Sequence, residues 1–243
     1  MKGRFFVDPD PTHSERASLD AAGARHLRAL RVREGDEVCA IVGPGRERAA
    51  VIERLGRDGA LLALGTELPP SGRDPVAART LALALGDLAR MDLVVEKATE
   101  LGATALQPFV AERSQARTLP ETRLERWRRI ARAACEQCGR TREPEIRPCV
   151  DFATLVGALD PAALVWLLTP DGDSPRVLRS SDTRRQERPL VLVVGPEGGL
   201  VERETAALLA RGAEPVRLGR STLRFETAAL AGLAAAAALF PDG

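Results

Sequence analysis

The stretch from Pro189 to Thr227 constrains this chain more than any other part of it. Pro189-Leu190-Val191-Leu192-Val193-Val194 is a run of Leu and Val that ends abruptly at Gly195-Pro196-Glu197-Gly198-Gly199. A run this short, apolar at successive positions and rich in β-branched residues, reads as a strand buried on both faces of a parallel sheet. Glycines at its carboxyl end let the backbone turn sharply and leave amide N–H groups open to a polar or anionic ligand. A second glycine turn follows at Leu218-Gly219-Arg220-Ser221-Thr222-Leu223-Arg224-Phe225-Glu226-Thr227 and opens into a helix. Two such turns in consecutive strand-to-helix loops form a pocket outside the carboxyl ends of the strands, where open α/β sheets bind ligands.

The chain is 243 residues long, enough for two domains with substantial cores. Its net charge of +1 announces no global basic field, so a polyanion must be met by a local patch. The basic residues are nearly all Arg, with Lys only at Lys2 and Lys97. No apolar leader follows Met1-Lys2-Gly3-Arg4, so a cytoplasmic setting with free thiols is expected for Cys39, Cys135, Cys138 and Cys149. Cys135-x-x-Cys138 lacks the second pair or nearby histidines that a zinc site needs, since the histidines are His13 and His26; no metal is expected. The apolar segment from Ala228 to Phe240 is mostly alanine and shorter than the roughly 20 residues of a membrane span. It reads as a packing helix.

Residues 1–72 read as an all-β domain, with short apolar runs at 37–43, 48–54 and 60–66 separated by Gly- and Asp-containing turns. Before them, Arg25 to Arg33 is a helical turn or strand studded with arginines. Leu68-Pro-Pro-Ser-Gly-Arg-Asp-Pro75 is the expected domain break, and 73–243 the second domain. There, strands at 80–86, 104–110, 163–169, 190–194 and 214–218 alternate with helices at 91–101 and 121–138, which argues an α/β domain around a mainly parallel sheet. Arginines crowd the outer side of the 121–138 helix, a patch that suits a phosphate backbone slightly better than a merely solvated face. Neither a Walker lysine follows Gly198-Gly199-Leu200 nor a Gly-x-Gly-x-x-Gly follows the strand ending at Gly86, so nucleotide hydrolysis and dinucleotide binding are disfavoured.

Gly195-Pro-Glu-Gly-Gly199, Leu218-Gly219 and Leu223-Arg224-x-Glu226-Thr227-Ala228 resemble the SPOUT methyltransferases, and within them the RsmE group, which methylates uracil N3 in small-subunit ribosomal RNA. The resemblance extends over nearly the whole chain: Arg4-x-Phe6 and His26-Leu-Arg-x-Leu-Arg with Gly35-Asp36 are similar to its N-terminal PUA-like RNA-binding barrel. Met91-Asp92, Glu96-Lys97-Ala-Thr-Glu-Leu-Gly102, Glu112-Arg-Ser114 and Ala134-Cys-Glu-Gln-Cys-Gly-Arg140 are similar to its middle motifs. The resemblance implies a trefoil-knotted α/β domain that binds S-adenosylmethionine (SAM), a homodimer, and 16S rRNA of the 30S subunit as substrate. It implies cofactor contacts from Leu168, Thr169 and Pro170, from Gly195, Pro196, Glu197, Gly198 and Gly199, and from Leu218, Gly219, Leu223, Arg224 and Thr227. Arg224 is the candidate to stabilise the developing uracil anion. Glu226 is read either as a base or, equally, as an anchor for Arg224 or a helix cap. Arg4, Arg28, Arg31, Arg113, Arg129 and Arg140 are the candidates for RNA contact, and His26 is as readily structural. One departure is Val201, where Ser or Thr would cap the next helix; that cap is worth about 1 kcal/mol. Another SPOUT enzyme with a different RNA, a non-catalytic RNA-binding assembly factor and a nicotinamide-dependent oxidoreductase are the competing readings.

Overall fold

The computed structural model describes residues 1–9, 15–174 and 188–240, which leaves His13 outside the described residues. Two compact units emerge: Met1–Asp74 with Arg132–Glu143, and Pro75–Ala131 with Pro144–Gly243. The first break falls at Asp74–Pro75, inside the proline-rich stretch, but the first unit also takes a segment from far along the chain. A boundary drawn once along the sequence cannot represent that.

In the first unit, β1 (Arg4–Phe6), β2 (Asp8–Pro9), β3 (Arg16–Asp20), β4 (Glu37–Gly43), β5 (Arg46–Leu55) and β6 (Gly59–Leu68) form one sheet in the order β1-β4-β5-β6-β3-β2. Neighbours are antiparallel except β1 and β4, which run parallel. Ala17 and Leu19 on β3 and Leu62 and Leu64 on β6 alternate inward, as half-buried strands require, and meet Phe5, Val38 and Ile52 in one core. The region is not all-β, however. Ala21–Ala29 is a helix, α1, and it takes in most of the arginine-studded stretch. Asp20 caps it by accepting the Gly23 N–H at 2.8 Å, and Ala24 and Leu27, three apart, turn one side to the core. After the helix ends, Arg31 holds φ at 58°, a left-handed position usually given to glycine.

Segment 132–143 ties into this unit through Arg132 and Glu136. The Glu136 carboxylate accepts the Phe6 N–H at 3.0 Å and lies 3.2 Å from His26 Nδ1, while the Arg132 guanidinium sits 5.0 Å from the Phe6 ring centre. Burial pushes the Glu136 pKa up, against the Phe6 N–H and the charges of His26 and Arg132. His26, also edge-on to Phe5, has a structural place here.

The second unit contains β7 (Arg79–Ala84), α2 (Leu88–Glu100), β8 (Ala105–Val110), the first part of α3 (Glu121–Cys138), β9 (Glu145–Ile146), β10 (Val150–Asp151), α4 (Phe152–Gly157), β11 (Leu164–Asp173), β12 (Leu190–Val194), α5 (Glu202–Ala210), β13 (Glu214–Val216) and α6 (Phe225–Leu239). The sheet runs β10-β8-β7-β12-β11-β13, all pairs parallel, with β9 also against β8. Each central strand is apolar on both sides because both faces are covered. Leu81, Leu83, Trp166, Leu192 and Val194 face α2, α3 and α6; Ala82, Ala84, Val165, Leu167 and Val193 face Leu155 of α4 and Leu208 of α5. Within this unit, Asp92 on α2 accepts the Trp127 indole N–H at 2.8 Å and pairs with Arg123 and Arg126. Burial raises its pKa, but the Arg126 and Trp127 hydrogen bonds and both charges outweigh that and hold it below the usual range. Cys135 is buried in α3, and desolvation pushes its thiol up to about 12, so it stays protonated at neutral pH.

Two details shape the end of the sheet. The β11–β13 register runs Trp166↔Glu214, Leu167↔Pro215, Leu168↔Val216 and then jumps to Asp173↔Val216, so Thr169 to Gly172 loop out of the ladder. Gly172 pins the base of this bulge. A Cβ there would sit 2.5 Å from the backbone of Pro215 and Val216, so only glycine lets the two chains approach. The second detail is the start of α5. Val201 has no side-chain acceptor, yet the helix begins there because Glu204 reaches back to the Val201 N–H at 3.0 Å. That is half of a capping box.

Both details can be tested by urea unfolding. Gly172→Ala should lose about 1–3 kcal/mol through backbone overlap, whereas Gly157→Ala, with nothing within 4 Å of the new methyl, should be neutral or stabilising by up to about 1 kcal/mol. Equal effects would remove the special role of Gly172. Val201→Thr supplies the missing acceptor and should stabilise by about 0.5–2 kcal/mol; an unchanged urea midpoint would show that Glu204 alone already satisfies the helix end.

Candidate functional site

Three strand ends converge on one cavity of about 560 Å³, within the roughly 300–1,000 Å³ of small-molecule sites. The bulge of β11 gives one wall, with Leu168, Thr169, Pro170 and Asp171. The turn after β12 gives the second, with Gly195, Pro196, Glu197 and Gly199. The loop after β13 gives the third, through Arg217, Leu218, Gly219 and Leu223. Thr205 and Leu209, one turn apart on α5, and Phe225 and Ala228 on α6 close the space between them.

The middle wall is built by its glycines and by its neighbours. Gly199 has φ at 71° and its N–H closes a turn onto the Pro196 carbonyl at 2.8 Å. No Cβ is tolerated cheaply at that φ. Glu197 lines the cavity while its Oε1 accepts the Asp87 N–H at 3.4 Å. Its carboxylate lies over Gly86, where a Cβ would meet it at 2.8–3.1 Å. Glu197 and Asp171 supply negative charge to the lining, and Arg217 supplies positive charge.

Of the residues expected at a cofactor, Leu168, Thr169, Pro170, Gly195, Pro196, Glu197, Gly199, Leu218, Gly219 and Leu223 line this cavity together. Gly198, Arg224 and Thr227 do not. The Gly198 carbonyl accepts from Arg113 Nη1 at 2.8 Å instead. Arg224 occupies the N-cap position of α6, where its carbonyl accepts the Ala228 N–H at 2.8 Å; its side chain is exposed and makes no capping hydrogen bond. Thr227 is exposed on the first turn of α6. Glu226 also lies off the cavity lining, and its carboxylate faces Arg90 at 3.5 Å.

The candidate RNA arginines divide in the same way. Arg28, Arg31 and Arg129 are exposed, Arg28 while donating to the Gly56 carbonyl at 2.5 Å. Arg4 and Arg140 differ from these three: Arg4 is ion-paired with the buried carboxylate of Glu47, and Arg140 is only 3% exposed. Counting arginines in a segment cannot distinguish those that neutralise internal carboxylates from those left to solvent. The sequence reading also missed Asp171, Arg217, Thr205 and Leu209. The i, i+4 spacing of the last two on an expected helix was a usable signal; for Asp171 and Arg217 nothing short of the bulge geometry would have shown it.

Residues 73–237 match the family model described as an RNA methyltransferase domain, and residues 19–64 match an RNA methyltransferase PUA domain. The chain is 33% identical to a Ribosomal RNA small subunit methyltransferase E of Synechocystis sp. over 96% of its length and 77% of that protein. It is 34% identical to the protein of the same name from Mycobacterium bovis, over 97% of this chain and 91% of the other. Among solved structures it resembles a Ribosomal RNA small subunit methyltransferase E from Neisseria gonorrhoeae bound to S-adenosyl methionine. That match has a TM-score of 0.85 and 30% identity, covering 98% of this chain and 97% of that one. A Legionella pneumophila putative methyltransferase in complex with SAM gives a TM-score of 0.86 at 28% identity, over 97% and 96% of the two chains. With both family models matched and these relatives covered over most of their length, the chain belongs to the Ribosomal RNA small subunit methyltransferase E family.

Proposed function

We propose that this chain is a SAM-dependent methyltransferase that acts on N3 of a uridine in 16S rRNA, on the 30S subunit in the cytoplasm, as a homodimer. The observation that carries the reading is the cavity of about 560 Å³ ringed by three strand ends, in a chain similar along its whole length to two solved structures that hold SAM.

The residues present fit that cofactor. Glu197 and Asp171 put carboxylates on the lining of a site for a cationic ligand, and Arg217 suits the ligand's own carboxylate. Leu168, Leu218 and Leu223 offer apolar walls for a flat aromatic ring, with open space beside Gly219. When bound, SAM supplies an electrophilic methyl group on a sulfonium sulfur. The rest falls to the chain. It must hold the uracil with N3 towards that methyl, exclude water and stabilise the ring as the N3 proton leaves; positioning can contribute much of the rate. The Arg224 side chain is exposed and makes no capping hydrogen bond, so its guanidinium is available to the uracil oxygens where negative charge develops. The Arg90 ion pair favours Glu226 as an anchor of the α6 start over Glu226 as the base.

N3 is sealed in a base pair, so the target uridine must be unpaired or flipped out. Arg28, Arg31 and Arg129 are the exposed candidates for the RNA backbone. Support for a dimer comes from α6, which carries no charge after Glu226 and exposes Ala234 and Ala238, and from Leu93 on α2, 44% exposed.

Incubating the protein with methyl-tritiated SAM and small subunits, or their naked RNA, from cells lacking it should yield 3-methyluridine on nucleoside analysis. Label on another nucleoside would overturn the choice of base, and no label with no SAM binding would sink the enzyme reading. Arg224→Ala should keep SAM affinity and lower kcat by about 10²–10³; a wild-type rate would remove Arg224 from the chemistry. Sedimentation equilibrium should give twice the chain mass, and a monomer at micromolar concentration would contradict the dimer.

A further inference from the structure

Arg113 stands in the loop after β8, remote in sequence from the glycine turn, and the structure gives it a task that its composition does not suggest. Its Nη1 donates to the Gly198 carbonyl at 2.8 Å, and its aliphatic stem lies against Gly198. Gly198 O and Gly199 N–H belong to the same peptide unit, and the N–H closes the turn onto Pro196. Fixing the carbonyl therefore fixes the plane of that peptide, and with it the left-handed Gly199 on the cavity wall.

The loop that carries Arg113 is itself held still. Ser114 is buried, with its Oγ accepting the Ala111 N–H at 3.0 Å, and Arg117 donates to the carbonyls of Ala111 and Glu112 at 3.1 and 2.6 Å. Gln115 N–H reaches the Leu85 carbonyl at 3.2 Å. A second tie runs from the buried carboxylate of Glu204, which accepts the Glu112 N–H at 2.8 Å and the Val201 N–H at 3.0 Å. Glu112 in turn pairs with Arg203. The Gly198-to-Glu204 segment is thus fastened at both ends to one rigid loop.

We propose that Arg113 is a positioning residue for the cofactor turn: through the Gly198 carbonyl it holds the Gly198–Gly199 peptide in the orientation that shapes the SAM wall, and it is not an RNA contact. This rests on the reading of the cavity as the SAM site. A charge-assisted hydrogen bond to a backbone carbonyl is strong enough that its loss changes an equilibrium by about tenfold.

The test uses the full chain without RNA, as wild type, Arg113→Ala and Arg113→Lys. SAM affinity is measured by calorimetry, amide exchange over residues 196–200 by mass spectrometry in the ligand-free protein, and rRNA affinity separately. Arg113→Ala should bind SAM about tenfold more weakly and exchange faster over the turn, with rRNA affinity unchanged; Arg113→Lys, which keeps a charged donor, should recover much of both. Unchanged SAM affinity and exchange, with rRNA binding weakened, would overturn the proposal and return Arg113 to the RNA. Faster exchange in Arg113→Ala alongside a wild type that binds no SAM would uphold the clamp and refute the cofactor assignment instead.

Discussion

The close approach of two backbones at Gly172 underlies the architecture of the site. Parallel pairing of β11 with β12 and β13 brings three strand ends side by side, but a flat ladder would leave no wall between the first and the third. The bulge from Thr169 to Gly172 makes that wall, and it can close only where β11 returns to lie directly on Pro215 and Val216. The Arg217 N–H bonded to the Asp173 carbonyl at 2.7 Å locks the return. Cavity depth is therefore set by main-chain geometry, which tolerates little change in side chains at this one position.

Elsewhere the site is held from outside. The glycine turn after β12 has few side chains of its own, so its neighbours supply order: Gly86 admits the Glu197 carboxylate, Arg113 holds the Gly198 carbonyl, and Glu204 fastens the start of α5 to Glu112. Glycine is required where a ligand must approach the backbone, and each glycine adds chain entropy that must be offset by such contacts. The ties sit on loops of a sheet buried on both faces, which gives them a rigid base.

Much of this was legible in sequence because the second unit follows simple rules. Strands covered on both faces are continuous apolar runs, so β7, β11 and β12 stand out, and α3 shows its helical spacing at Leu124, Trp127 and Ala131. Two-residue strands such as β9 and β10 carry too few positions for any period. In α1 only Ala24 and Leu27 mark the buried side, and the arginines around them hide the pattern. The sequence ends this strand at Thr169, where the apolar run ends; Thr169 and Pro170 belong to the bulge, and the strand continues to Asp173. The motif residues identified by resemblance largely meet at one cavity, yet the partners of individual arginines stayed hidden. Arg4, Arg113 and Arg140 look alike in sequence, while one neutralises Glu47, one holds Gly198 and one is buried. Which acceptor an arginine meets depends on tertiary contacts that no local pattern encodes.

The central claim is that one cavity, at the carboxyl ends of β11, β12 and β13, receives the methyl donor. A crystal structure of the protein with S-adenosylhomocysteine tests it most directly. The account predicts the ligand between the Thr169–Asp171 bulge, the Gly195–Gly199 turn and the Leu218–Leu223 loop, with Arg113 still on the Gly198 carbonyl. A ligand bound at any other place on the chain, with this cavity filled only by water, would contradict it.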